Sequence, residues 1–227
     1  NIIPVSSAGN AARNSDYYLP VGVPGVISVG ATNKRGVASQ FSNWGNSVEI
    51  MAPGQDIWVA NQVAYENKHG TSYAAPLVSG VISLMRSVRP GLNWKEAVYF
   101  LQSTAFLMGC DEYCSDEYSV PARKQCRADC CVNGKQVCTP GRVNAGAAVA
   151  AAQEAQNRGT PPAVALIDAW EYHVVSSEIR KNGVPMKEAK LKLYNVGGAA
   201  GDYHISSKNP EITVSDPDIR LAKKGDA

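Results

Sequence analysis

Of 227 residues, 44% are hydrophobic and 19% are charged, a balance that predicts a globular chain with one sizeable core and a smaller appendage. No apolar run reaches the roughly 18 residues that a membrane-spanning helix needs, so no membrane span is expected. The 22 Lys and Arg against 20 Asp and Glu are not gathered into a block that would suit nucleic acid or an anionic surface, so charge nominates no partner.

Along the chain, the apolar run 2–8, stopped by Gly9-Asn10, and the run 25–31, bounded by glycines and Pro24, predict buried strands of a parallel sheet. A third strand is expected over 48–52, ending at the turn signal Pro53-Gly54. From Ser72 to Arg89 the period changes. Ala74, Val78, Val81, Met85 and Val88 recur at steps of four and three, the apolar stripe of a helix, and Pro90-Gly91 ends it. A second helix is expected over 93–103, with Trp94, Ala97, Val98 and Leu101 on one face, and the Ala-rich stretch 145–156 predicts a third.

Gly159-Thr160-Pro161-Pro162 has the composition of a linker. Beyond it, 163–168, 172–177, 189–194, 203–206 and 212–215 read as short strands separated by Asn182-Gly183, Gly197-Gly198 and Asn209-Pro210. The expected organisation is a main domain over 1–158, a linker over 159–162 and an all-β, sandwich-like module over 163–227. About 65 residues give that module little core, so it is read as truncated or as leaning on the first domain.

Six cysteines, Cys110, Cys114, Cys126, Cys130, Cys131 and Cys138, lie in one polar segment and nowhere else. They predict a disulfide-bonded insert over 108–140 in an oxidising, extracellular compartment, with the pairing left open. Zinc is the competing account. It is disfavoured because the CxxxC spacings lack zinc knuckles and the segment has no His. No secretory signal is visible; the opening NIIPVSSAGN reads as a strand running into a tight turn, as in the middle of a domain.

The most specific segment is His69-Gly70-Thr71-Ser72-Tyr73-Ala74-Ala75-Pro76, directly before the long amphipathic helix. Gly70 permits close backbone approach, and Ser72 falls where unpaired amides and the positive end of the helix dipole would favour developing negative charge. Taken alone, a serine at this place would be read as an N-cap, and an asparagine after a strand, as at Asn10, as a turn residue.

The surrounding motifs alter both readings. GTSYAAPLVSG resembles the nucleophile motif of subtilases, the subtilisin-like serine proteases. Four further segments are similar to the family's signatures in the same order: Ser6 to Asn10 (SSAGN), 24–31, Phe41-Ser42-Asn43-Trp44-Gly45 with Ala52-Pro53-Gly54, and Gly141-Arg142-Val143-Asn144-Ala145. The resemblance covers roughly 1–157. It implies a three-layer α/β fold with a mainly parallel sheet, acyl-enzyme hydrolysis of peptide bonds by Ser72, and an oxyanion donor at Asn10 working with the Ser72 N–H. Removing such a donor costs about 10²–10³ in turnover in this family.

In the family the order along the chain is Asp, His, then Ser, and no residue matching the Asp or His motifs precedes Asn10 here. His69 is too near Ser72 along the approach to one helix and is read as an exposed or substrate-side loop residue. His173 and His204 fall in the β module. The resemblance therefore implies that the catalytic Asp and His come from an upstream segment or a companion chain. The rival reading is a non-catalytic fragment that binds a protein or matrix surface.

Ser7, Ala8, Gly9 and Tyr18 are expected to contact a protein or peptide substrate, with Tyr17 and Tyr18 making the primary pocket shallow; Asp16 could alternatively favour a basic side chain. No cofactor is expected. Family members often bind calcium, but no acidic loop here has convincing ligand spacing, and no metal ligand is assigned. The insert is additional to the family scaffold, read either as a substrate- or partner-contacting loop or as a stapled extension that resists digestion.

Overall fold

A computed structural model describes residues 2–16, 18–23, 25–138 and 141–159, and further along the chain the backbone of strands between 165 and 221. The chain divides into two compact units, Asn1–Gln153 and Glu154–Ala227.

The first unit begins with β1 (Val5–Ser7), β2 (Ile27–Thr32), β3 (Ile50–Pro53) and the hairpin β4 (Ile57–Ala60) and β5 (Tyr65–Lys68). These lead into α1 (Thr71–Val88) and α2 (Trp94–Ser103). Next come β6 (Phe106–Leu107), α3 (Cys110–Tyr113), α4 (Val120–Cys130), β7 (Cys131–Val132), β8 (Lys135–Gln136) and β9 (Gly141–Arg142), with α5 (Ala145–Asn157) beginning in this unit. The main sheet has the order β1-β2-β3-β9-β6. Pairing is parallel from β1 to β9 and antiparallel only at β6. All six residues of β2 are buried, as expected of a central strand covered on both faces, whereas β1 at the sheet edge is half-buried throughout.

Helix α1 packs across β1, β2 and β3. Of the stripe the periodicity predicts, Ala74, Val78, Val81 and Met85 are buried and Val88 is half-buried, with Ile82 added. Glycine allows the approach: a Cβ on Gly54, just past β3, would lie 2.6 Å from the Ala31 Cβ and 2.9 Å from the Gly70 carbonyl oxygen. That crowding gives a packing reason for the glycine of the Ala52-Pro53-Gly54 signature. The start of α2 is fixed by a capping box, in which Asn93 Oδ1 accepts from Glu96 N at 3.0 Å and Glu96 Oε2 accepts from Asn93 N at 3.2 Å. Glu96 is buried, and its Oε1 also accepts from Arg89 Nη2 at 2.9 Å.

The cysteine-rich insert is no open loop. Cys110 pairs with Cys131, Cys114 with Cys126 and Cys130 with Cys138, which tie α3, α4 and the β7–β8 hairpin together. Tyr113, Cys114, Tyr118, Cys126 and Cys130 are buried in one cluster with Ala8, Trp44, Val48 and Met51. The insert thus shares the core of the domain instead of standing off it.

In the second unit the described strands are β10 (Ala165–Asp168), β11 (Tyr172–Val175), β12 (Glu178–Lys181), β13 (Val184–Met186), β14 (Lys192–Asn195), β15 (Gly201–His204) and β16 (Asp218–Leu221). They pair antiparallel as β10–β14, β11–β12–β13 and β15–β16. Asn182-Gly183 separates β12 from β13, a closer pair than the sequence reading placed around it. The strand expected at 212–215 and the linker residues 160–162 lie outside the described residues.

Candidate active site

Ser72 is the second residue of α1 and is exposed, one position inside the helix rather than at its cap, which is Gly70. The first-turn position matters because the helix supplies no acceptor to amides there, leaving the Ser72 N–H available. Gly70 (φ 153) is anchored by its N–H to the Gly54 carbonyl at 2.8 Å. The strand-to-turn signature at Gly54 therefore fixes where α1 begins.

Asn10 reaches the same helix start from the end of β1. Its Oδ1 accepts from the Thr71 N–H at 2.8 Å and from Thr71 Oγ1 at 2.9 Å. A backbone N–H can only donate, so the carboxamide orientation is determined: oxygen toward Thr71, Nδ2 outward. Nδ2 lies beside Gly70, where a Cβ would come within 3.5 Å of it. Thr71, fully buried, also accepts from Gly9 N at 3.1 Å. Sequence reasoning passed over Thr71; its place between Gly70 and Ser72 was the only signal.

A second missed residue is Asn43. Its Oδ1 accepts from Ala11 N at 2.9 Å and Arg13 N at 3.3 Å, its Nδ2 donates to Ala8 O at 3.0 Å, and its own N–H donates to Gly9 O at 2.9 Å. One side chain therefore ties down the backbone on both sides of Asn10. Gly9 adopts φ 103 with its Cβ position 2.5 Å from Asn43 Nδ2, so a side chain there is strained and crowded. Asn43 stands in the Phe41-Ser42-Asn43-Trp44-Gly45 signature, which gave its location but not its task.

Of the expected substrate contacts, Ser7 ends β1, half-buried, while the Ala8 side chain is buried and the Gly9 amide and carbonyl are engaged as described. Tyr18 is half-exposed, with the Arg13 guanidinium carbon 4.7 Å from its ring centroid. Tyr17 lies outside the described residues. Asp16 is committed elsewhere: Oδ1 accepts from Ser47 N at 2.8 Å and Oδ2 from Asn46 Nδ2 at 3.2 Å. It braces the 45–47 turn. His69 is exposed, and its Nδ1 accepts from Asp56 N at 3.0 Å, so the ring turns to the hairpin base. Among the described residues there is no cluster of three or more His, Cys, Asp or Glu that could hold a metal.

The profile of the Subtilase family matches residues 1–139, well over half of the sequence. The chain belongs to the subtilase family. The subtilisin-like proteinase Mp1 of Magnaporthiopsis poae is 37% identical over 92 residues, covering 39% of this chain and 23% of that protein. An extracellular protease of Xanthomonas campestris pv. campestris is 36% identical over 94 residues, covering 38% of this chain and 16% of that one. Among solved structures, the prenylagaramide maturation protease PagA is similar with TM-score 0.50 and 26% identity, over 66% of this chain and 50% of that chain. The matched stretches thus span about a quarter or less of these curated subtilases' lengths. The α/β fold with a mainly parallel sheet is that of the family. Among the described residues, no helix is long and apolar enough to cross a membrane.

Proposed function

We propose that this subtilase chain supplies the nucleophile and the oxyanion donors of a secreted serine endopeptidase. The observation that carries the reading is the locked carboxamide of Asn10, with Thr71 holding its oxygen and its Nδ2 left facing the start of the helix that bears Ser72. In the reaction, Ser72 Oγ attacks the scissile carbonyl and its proton passes to a base. Asn10 Nδ2 and the Ser72 N–H donate to the oxygen that becomes negative. Collapse breaks the C–N bond, the protonated amine leaves, and water releases the acyl group from Ser72 by the same steps.

The base and its orienting carboxylate are proposed to be a His and an Asp on an upstream segment or a companion chain. Two surfaces support a seat for it. β1 pairs only with β2 among the described strands, so one edge is free. Helix α1 also carries a second apolar line, Leu77 and Leu84, two turns apart and 44% and 56% exposed. These two leucines are apolar surface that such a segment would bury. The three disulfides and the extracellular protease named above favour secretion. Ser7, Ala8, Gly9 and Tyr18 are proposed as the wall and floor of a shallow primary pocket for a peptide substrate.

A fluorophosphonate probe applied to undenatured material tests the catalytic reading. Labelling at Ser72, abolished by Ser72→Ala, is expected whenever the companion polypeptide co-purifies. A complex that contains the companion yet remains unlabelled would refute it. Mass spectrometry of the same material checks the companion. For the pocket, a peptide panel in which large aromatics are preferred before the cleaved bond, unaltered by Tyr18→Gly, would count against a shallow floor.

A further inference from the structure

The segment carrying Asn10 does not stand alone. It runs beside 41–45 in a short ladder of three backbone bonds about one isolated parallel bridge, Asn14 to Trp44: Phe41 O accepts from Ala12 N at 3.0 Å, Trp44 O accepts from Ser15 N at 2.8 Å, and Trp44 N donates to Arg13 O at 3.1 Å. With the Asn43 bonds added, this neighbour holds the carbonyls of Ala8, Gly9 and Arg13 and the amides of Ala11, Ala12 and Arg13, on both sides of Asn10. The backbone that carries Asn10 is therefore positioned by 41–45, while Thr71 holds its carboxamide.

The insert grips that neighbour. Asp129 Oδ2 accepts from Trp44 Nε1 at 3.0 Å and from Asn14 Nδ2 at 3.2 Å, so one carboxylate oxygen bridges both sides of the ladder. Gln125 Nε2 steadies the other oxygen at 2.8 Å. Tyr118 OH donates to Ser42 O at 2.8 Å, and Tyr113 OH accepts from Gly45 N at 3.3 Å. Burial pushes both phenols above the ordinary tyrosine range, so they stay protonated. Trp44 itself is almost wholly buried, edge-on to Tyr118 with ring centroids 5.3 Å apart. Asp129 sits beside Cys130, and the three disulfides fix the scaffold that presents it.

We infer that the disulfide-bonded insert is a positioning element for the oxyanion donor, with Asp129 as its principal positioning residue. The inference rests on the proposed role of Asn10. It replaces the picture of an added loop that meets substrate or merely resists digestion. The insert acts from beneath, through Trp44 and Asn14, and need touch no substrate.

Amide hydrogen exchange on the 227-residue chain tests this. Asp129→Ala is expected to speed exchange at Ala11, Ala12, Arg13 and Ser15 by roughly tenfold, the loss that follows from removing hydrogen bonds to a charged acceptor. Amides of β2 and of the middle of α1 should not change. Asp129→Asn keeps an acceptor oxygen and should restore most of the protection. In the assembled enzyme, the same substitution to Ala should lower the maximal rate of phosphonylation at Ser72 while leaving reagent affinity within about twofold. Unchanged exchange in Asp129→Ala overturns the inference. If that variant does not fold, Tyr118→Phe, which deletes only the donor to Ser42 O, carries the same expectation at Ala11 and Ala12 and the same refuting result. Exchange does not depend on a reactive serine, so opened amides with an unreactive wild-type assembly refute the catalytic reading alone. Protected amides with normal phosphonylation refute the positioning role alone.

Discussion

Replacing Thr71 by valine isolates the grip on Asn10. Valine nearly matches threonine in shape, so the buried site is refilled and only the hydroxyl is lost. Two bonds go with it: the donation to Asn10 Oδ1 at 2.9 Å and the acceptance from Gly9 N at 3.1 Å. The backbone donation from Thr71 N at 2.8 Å survives. At about 1 kcal/mol for each ordinary bond, and up to about 3 kcal/mol where a donor is left facing a methyl group, the loss of stability is about 2–4 kcal/mol. Asn10 would then hang on a single bond. Full removal of such a donor costs about 10²–10³ in turnover, and a carboxamide free to swing should lose about tenfold. Urea titration of the chain gives the first quantity, and phosphonylation of Ser72 in the assembled enzyme gives the second. Thr71→Ser is the control, keeping the hydroxyl and losing one methyl group at a cost of about 1 kcal/mol. Equal stability and equal labelling rates in the Val and Ser variants would refute the reasoning.

Burial raises the Glu49 carboxyl from 4.5 to about 7, against a smaller opposing effect of the Gln102 hydrogen bond. Its folded pKa thus lies above its unfolded one, so its contribution is full below about pH 4.5 and is lost as pH rises to about 7. Glu49→Gln should flatten the pH dependence of stability across that window and gain up to about 3 kcal/mol at pH 8 in urea titrations; equal slopes for both proteins would contradict it. Leu77→Asp with Leu84→Asp should leave the isolated chain's melting temperature within about 2 °C, since both sites are exposed, yet weaken capture of the companion polypeptide at least tenfold by sedimentation. Asn93→Ala breaks the α2 capping box and should cost about 1 kcal/mol in thermal unfolding. Replacing Cys114 and Cys126 by serine opens a buried crosslink and should cost about 2–4 kcal/mol under non-reducing conditions.

The elements with a clean period were legible. The buried stripe of α1 and the alanine-rich α5 follow from spacing and propensity alone. The hairpin β4–β5 was not read, because its half-buried Ile57 and Val59 alternate with exposed Trp58 and Ala60 over only four residues. Motifs singled out Ser72 and Asn10, yet gave no hint that Thr71 holds the Asn10 carboxamide and Asn43 the backbone beside it. Those roles exist only as hydrogen bonds between residues 30 to 62 positions apart. Cysteine clustering announced crosslinks but allowed 15 pairings. Tyr113 and Tyr118 looked like scattered aromatics in a polar stretch; their burial against Trp44 needed the fold. The outward line of Leu77 and Leu84 was masked by the stronger inward stripe, since periodicity shows an apolar face but not what covers it.

Two independent supports converge on one carboxamide. Thr71 holds the Asn10 oxygen from the helix side, and Asn43 holds the neighbouring backbone from the ladder that the insert grips. Both lie within residues 8–138. In the role proposed for Asn10, the donor is oriented by residues of this chain, and a preoriented donor stabilises developing charge without reorganisation cost at the moment of reaction. Under that proposal, the upstream segment or companion chain need supply only the proton acceptor and its partner carboxylate. A companion chain so proposed should gain its affinity from covering Leu77, Leu84 and the edge of β1 that is unpaired among the described strands, with little spent on ordering Asn10. Exchange at Ala11 and Arg13 should accordingly be the same in the free chain and in the complex, whereas a companion that first had to order the donor would protect those amides on binding.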